Sequence, residues 1–261
     1  MRTEQKLASG LVIRQDIAEA VRLPLFPADT PEVPVWTHGG AVVLVSYQGK
    51  VYGLTCKHIV GNDHALWTSL LVPASKRGGI AVLVQACRTA RAAWGHVAST
   101  DIEDLAVLRF DQVVNADWFE GKTYVIDPNT ICRSNVGDDL VVHGTLKDRT
   151  STILGNAETT YCHIGFSDRG NQLTDHSLRT CTAEPHSLDG LASLNGVSGG
   201  AVFNITQNAL CGIATRAGLA GLRATLHYVD IHHALKLLQA VHSGTFSVSY
   251  KMTQEAFLLR A

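Results

Sequence analysis

Apolar runs of only a few residues, each closed by glycine, proline, asparagine or aspartate, recur along almost the whole chain and leave little room for anything but β-structure. The clearest case is V-V-L-V-S-Y (42–47) and V-Y-G-L-T-C (51–56), two β-rich runs around Q-G-K. They predict a hairpin with a three-residue loop containing Gly49. Further strands are predicted within 65–72, 80–86, 93–99 and 104–110, and after Pro128 within 139–144, 160–166, 201–205, 209–215 and 224–229. Short strands at such spacing predict a sandwich or barrels rather than alternating strands and helices. Two segments carry a helical period. Residues 14–22 place Ile17 and Val21 four apart. In 230–242, Asp230 is a predicted N-cap, and Ile231, Leu235, Leu238 and Val241 follow at helical spacing. Turn formers gather at 122–130, which marks a boundary within the body.

A chain of 261 residues can build one large domain or two small ones sharing an interface. Its 46% hydrophobic and 17% charged residues, with a net charge of −1, give no electrostatic reason to expect nucleic acid or an anionic membrane as partner. Charges interrupt the N-terminal sixteen residues where a signal peptide needs an unbroken apolar run, and no stretch reaches the roughly 18 apolar residues of a membrane span. A soluble, cytoplasmic protein is expected. Cys56, Cys87, Cys132, Cys162, Cys181 and Cys211 are scattered, with no C-x-x-C pair. Buried thiols are therefore expected rather than disulfides or a zinc site, and no metal or cofactor is foreseen.

One motif carries chemistry. Taken alone, N-G-V-S-G-G-A-V-F (195–203) is either a tight bend before a strand or a nucleophile loop. Gly196-Val197-Ser198-Gly199-Gly200 fits both the G-x-S-x-G elbow of α/β-hydrolases and the G-x-S-G-G loop of chymotrypsin-like peptidases. An elbow needs a helix after the serine and an acid and histidine downstream; here the β-rich A-V-F-N-I follows, and no βαβ crossovers precede it. The second template needs histidine and then aspartate upstream. T-C-K-H-I-V (55–60) and D-I-E-D-L-A-V-L (101–108) supply them in that order.

At these segments the chain resembles the chymotrypsin/trypsin-like serine peptidases. T-C-K-H-I-V is similar to the family's T-A-A-H-C-V, D-L-A-V-L to D-I-A-L-L, N-G-V-S-G-G-A-V-F to G-D-S-G-G-P-L, and L-C-G-I-A-T (210–215) to L-V-G-I-V-S. The resemblance spans roughly residues 40–230. It implies an all-β fold of two six-stranded antiparallel β-barrels, at roughly 30–125 and 126–228, with an N-terminal extension (1–30) and a C-terminal helix and tail (229–261). It also implies a serine endopeptidase acting on protein or peptide substrates, with His58, Asp104 and Ser198 as catalytic residues. Gly196 and Ser198 would supply the oxyanion-hole N–H groups. A serine hydroxyl needs a base to become a nucleophile, His58 can accept and return its proton, and Asp104 would fix the imidazole tautomer. Asp101 and Glu103 compete as the acid, and Asp104 is preferred because it abuts the apolar strand. Ala192, Thr215, Arg216 and Ala217 fall where the family binds its substrate. His143 and His227 read as structural, His227 with a secondary claim on the pocket wall.

Three departures separate this chain from the zymogens of that family. Val197 stands where zymogen-activated members carry an aspartate, so activation by N-terminal cleavage is not expected, and the loop has to be ordered by other means, as in bacterial relatives, or by an activating protein partner. Ile59 replaces a bridged cysteine. Ala192 replaces the aspartate that selects basic side chains; a small or apolar pocket is the default, with Arg216 as an alternative recruiter of acidic side chains. The competing reading from another class is a catalytically silent binding module on a peptidase fold.

Overall fold

The computed structural model describes residues 4–6, 12–30, 33–37, 39–61, 69–74, 76, 80–89, 100–110, 119, 122–153, 156–170, 178–183, 188, 190–220, 223–244 and 257–258. The chain opens with β1 (Glu4–Lys6) and β2 (Val12–Arg14), a short antiparallel pair, then helix α1 (Gln15–Ala20), β3 (Val21–Arg22) and the hairpin β4 (Phe26–Thr30) and β5 (Val33–Trp36). The hairpin of β6 (Val42–Tyr47) and β7 (Lys50–Cys56) follows, leading into the single turn α2 (Lys57–Val60). Its connection is two residues long, not three: Tyr47 pairs with Lys50, and Gln48 and Gly49 both have positive φ (48° and 76°). Such a loop twists with the strands it joins.

Next come β8 (Leu71–Pro73), β9 (Ile80–Leu83), β10 (Ala86–Thr89), the turn α3 (Thr100–Glu103), β11 (Leu105–Arg109) and β12 (Tyr124–Val125). Strands β10-β11-β7-β6-β12, with β3 also on β6, form a six-stranded sheet; β8 and β9 form a three-stranded sheet with β19 (Phe257–Leu258). One bend at 84–85 joins β9 to β10, and a bridge from Leu25 to Leu71 adds a second connection. The two sheets enclose one apolar core of Phe26, Val42, Leu44, Val72, Val82, Leu108, Phe110 and Phe119. The strand expected within 93–99 lies outside the described residues.

The second half is a closed barrel. It is built from β13 (Asp139–Ile153), β14 (Asn156–Asp168), β15 (Leu178–Ala183), β16 (Ala201–Asn204), β17 (Ala209–Ala220) and β18 (Arg223–Asp230), in the order β13-β14-β15-β18-β17-β16. Leu140, Val142, Ile164, Phe166, Val202, Leu226 and Tyr228 fill it. Helix α4 (Ile231–His242) follows directly, capped by the Asp230 carboxylate, which accepts the His232 N–H at 2.8 Å. The all-β class with two barrel halves and a C-terminal helix is therefore as the sequence implies.

A third apolar layer joins the halves. Val43, Val45, Tyr52 and Leu54 from the first sheet meet Ala201, Phe203, Leu210 and Ile213 on the outside of the second barrel, together with Ile17 of α1 and Leu237, Leu238 and Val241 of α4. Strand β6 thus buries both faces, Val42 and Leu44 inward and Val43 and Val45 against the partner half. That is why its sequence is an unbroken apolar run instead of an alternation.

Candidate active site

The end of β7 delivers His58, on the first turn after the strand. Strand β11 runs antiparallel to β7 with Leu105 opposite Cys56, so Asp104, one residue earlier, arrives beside α2. The His58 backbone N–H donates to Asp104 Oδ1 at 2.9 Å, and Asp104 Oδ2 lies 2.6 Å from His58 Nδ1. The Lys57 N–H donates to the Asp104 carbonyl as well. A carboxylate can only accept, so it holds the ring proton on Nδ1 and leaves Nε2 as an acceptor. The imidazole is 47% exposed and the carboxylate 20%, so the ring faces outward from a sheltered anchor.

Ser198 stands on the loop before β16, tied to both halves of the molecule. Its carbonyl accepts the Ala41 N–H at 2.8 Å, the Ala41 carbonyl accepts the Thr55 hydroxyl at 2.7 Å, and the Gly199 N–H donates to the Ala214 carbonyl at 2.7 Å. Two glycines are required here. Gly199 has φ +79°, and a Cβ on it would lie 2.0 Å from the Ala41 oxygen; Gly196 has φ +98°, and a Cβ there would lie 2.6 Å from the Lys147 nitrogen. This conformation leaves the Gly196 and Ser198 N–H groups without an acceptor among the described residues. Two such backbone donors next to a hydroxyl are what the expected oxyanion cradle requires.

The serine hydroxyl itself donates to the Thr215 carbonyl at 2.9 Å, not to His58. Thr215 sits at a register shift between Ala214 and Arg216, which takes its carbonyl out of the β17–β18 ladder. Its own hydroxyl donates to the His227 carbonyl at 3.2 Å, and His227 Nδ1 lies 3.2 Å from the Thr180 hydroxyl, so His227 packs behind Thr215. Beyond Thr215, Arg216 is exposed and Ala217 half-buried, and among the described residues no strand pairs with the edge of β17 opposite β18 over 216–220. Ala192 is exposed on the loop leading to Gly196. His143 is buried on β13, where its Nδ1 lies 2.7 Å from His163 Nδ1, and it takes no part in the site.

The loop is ordered by groups that sequence reasoning missed. Val197 is fully buried in the second barrel's core. A bulge in β13, between Leu146 and Thr150, then clamps the segment preceding the serine. The Lys147 N–H donates to the Asn195 carbonyl at 2.8 Å, Asp148 accepts the Ser193 hydroxyl, and Arg149 donates to the Gly190 carbonyl at 2.6 Å. The Thr145 hydroxyl, also buried, lies 2.7 Å from the Gly40 carbonyl and 3.0 Å from that of Gly196. The one trace of this clamp in the sequence is the polar run T-L-K-D-R-T directly after an apolar strand.

A histidine–carboxylate pair and a serine on a glycine turn are thus carried by the two β-barrel halves. Solved structures share this fold. A thermostable serine protease, AL20, from an extremophilic microorganism shares it at TM-score 0.55 and 13% identity, covering 88% of this chain and 99% of its own. An inactivated protease paralogue of the scabies mite shares it at 0.54 and 12%, covering 93% and 99%, and a Glu endopeptidase at 0.53 and 12%, covering 93% and 96%. No protein-family model and no curated protein matches the sequence. The chain therefore has the fold of the chymotrypsin-like serine proteases.

Proposed function

We propose that this protein is a serine endopeptidase that cleaves protein or peptide substrates through an acyl-enzyme on Ser198. The observation that carries this reading is the paired contact of His58 with Asp104, at 2.6 and 2.9 Å, together with a serine loop, bonded to Ala41 and Thr215, whose Gly196 and Ser198 N–H groups have no acceptor among the described residues. In the resting state the hydroxyl rests on the Thr215 carbonyl. When a substrate carbonyl occupies the cradle, rotation about the serine side chain turns Oγ to His58 Nε2, which takes its proton as Oγ attacks. The oxyanion lies on the Gly196 and Ser198 N–H groups; one such donor is worth about 3–4 kcal/mol of transition-state stabilisation. Asp104 steadies the imidazolium, His58 passes the proton to the leaving amine, and water then releases the acyl group by the same route.

Beyond Thr215, where among the described residues no strand pairs with β17 opposite β18, substrate main chain is laid alongside as an added strand. The small side chains of Ala192 and Ala217 favour a small or apolar group next to the scissile bond. Val197 rules out switching by a new N-terminus, and the bulge of β13 replaces that switch as the support of the loop. The reading is tested by replacing Ser198 with Ala and His58 with Ala in separate proteins. Each is expected to lose peptide-library hydrolysis by about 10³-fold or more with circular dichroism unchanged. Equal hydrolysis by wild type and both variants would refute it and favour a silent binding module.

A further inference from the structure

Cys56 lies beneath the histidine–aspartate pair. Its sulfur, a ring nitrogen of His58 and a carboxylate oxygen of Asp104 all lie within 4.8 Å of one another. The three groups are brought together by the same strand register, since Cys56 ends β7, His58 opens the turn after it, and Asp104 precedes the Leu105 that pairs with Cys56. The thiol is fully buried and donates to the Ala214 carbonyl at 3.2 Å, whereas the imidazole is half exposed to solvent. Thiolate, imidazole and carboxylate form a donor set for a borderline or soft divalent ion; calcium and magnesium prefer all-oxygen sites. Tetrahedral zinc sets neighbouring donors about 3.2–3.6 Å apart, within the 4.8 Å that bounds the three donors, and the 2.6 Å between His58 Nδ1 and Asp104 Oδ2 opens to admit it.

We propose that Cys56, His58 and Asp104 form an inhibitory site for a thiophilic divalent cation of the Zn2+ or Cd2+ type, with water as the fourth ligand. The cation takes the position of the proton shared by His58 and Asp104. That proton moves from Nδ1 to Nε2, the Cys56 thiol proton leaves to solvent, and no electrons are transferred. One proton is released per cation bound. His58 Nε2 then carries a hydrogen and cannot accept the proton of Ser198, so acylation stops while the serine stays untouched. The inhibition rests on the peptidase reading given above; the binding does not.

The test uses the full chain titrated with cadmium chloride and two independent readouts. The first is the ultraviolet thiolate-to-cadmium charge-transfer band. It should rise to one cadmium per chain in the wild type and in Cys132→Ala, and it should be absent at the same cadmium concentrations in Cys56→Ser and Cys56→Ala, which lack the thiolate. The serine variant keeps a hydrogen-bond donor for the Ala214 carbonyl and so covers the case in which alanine fails to fold. The second is the ratio of fluorophosphonate labelling at Ser198 with and without cadmium, taken within each variant. It should drop by ~10-fold in the wild type and stay near one in Cys56→Ser at the same cadmium concentration. No band, or an equal band in both Cys56 variants, overturns the site. A normal band in a protein that never labels leaves the metal site standing and overturns the peptidase reading instead.

Discussion

Thr145 has a single hydroxyl proton and two carbonyl oxygens within reach, those of Gly40 and Gly196. Both are backbone groups of segments that frame Ser198, so the hydroxyl anchors the Gly196–Val197 peptide of the serine loop. Valine keeps the shape of threonine and removes the donor, leaving buried carbonyls unsatisfied at a cost of about 1–3 kcal/mol. Thr145→Val is expected to lower kcat by about 10-fold or more while KM moves little, because the loss loosens the loop that carries the proposed oxyanion donors. Thr145→Ser should recover most of the rate. Steady-state kinetics on one cleaved peptide decides this, and a parallel loss in both variants would make Thr145 a packing residue only.

At the scale of elements, the serine loop is an apolar plug held by a bulge. Val197 stands among Leu146, Leu188, Leu194 and Tyr228 with no exposed surface. Val197→Asp places a carboxylate in that setting and should destabilise the fold by about 3–5 kcal/mol; Val197→Ala removes two methyl-sized groups and should cost about 1.5 kcal/mol. Denaturant unfolding measures both, and an aspartate variant as stable as the wild type would mean that the loop is not anchored through this side chain. The histidine, aspartate and serine were legible in the sequence because each sits beside a strand whose apolar run is unmistakable. The clamp was not. Lys147, Asp148 and Arg149 look like an ordinary solvated turn, and only the register shift in β13 turns them toward Asn195, Ser193 and Gly190. Strand β15 was missed for a related reason: L-R-T-C-T-A alternates polar and apolar residues too weakly to stand out from a loop, and it is the barrel's closure that makes it a strand. Cys56 read as a small buried residue, which it is; its place under His58 follows from pairing between β7 and β11, which no local pattern encodes.

For the molecule as a whole, His143 and His163 make stability depend on pH. Their Nδ1 atoms are 2.7 Å apart, which requires one donor and one acceptor, so the pair cannot hold two charged rings. Burial, with Lys76 adding repulsion, pushes His163 down to about 4 from 6.5, and burial with His163 nearby holds His143 well below the usual range. Both rings are neutral in the fold above pH ~6.5, and there the full stability is present. As pH falls from about 6.5 towards 4 the unfolded chain takes up protons that the fold refuses, so stability drops, by on the order of 3 kcal/mol for His163. Denaturant midpoints at pH 7 and pH 4.5 should differ less in His163→Gln than in the wild type; equal losses would place the acid sensitivity elsewhere. The central claim is a nucleophile at Ser198 activated by His58. Its most direct measurement is fluorophosphonate labelling of the purified chain, with the modified residue located by peptide mass spectrometry. A single adduct on Ser198, formed at least about 10²-fold more slowly in His58→Ala, is the predicted result. No adduct, or an adduct whose rate is indifferent to His58, would contradict it.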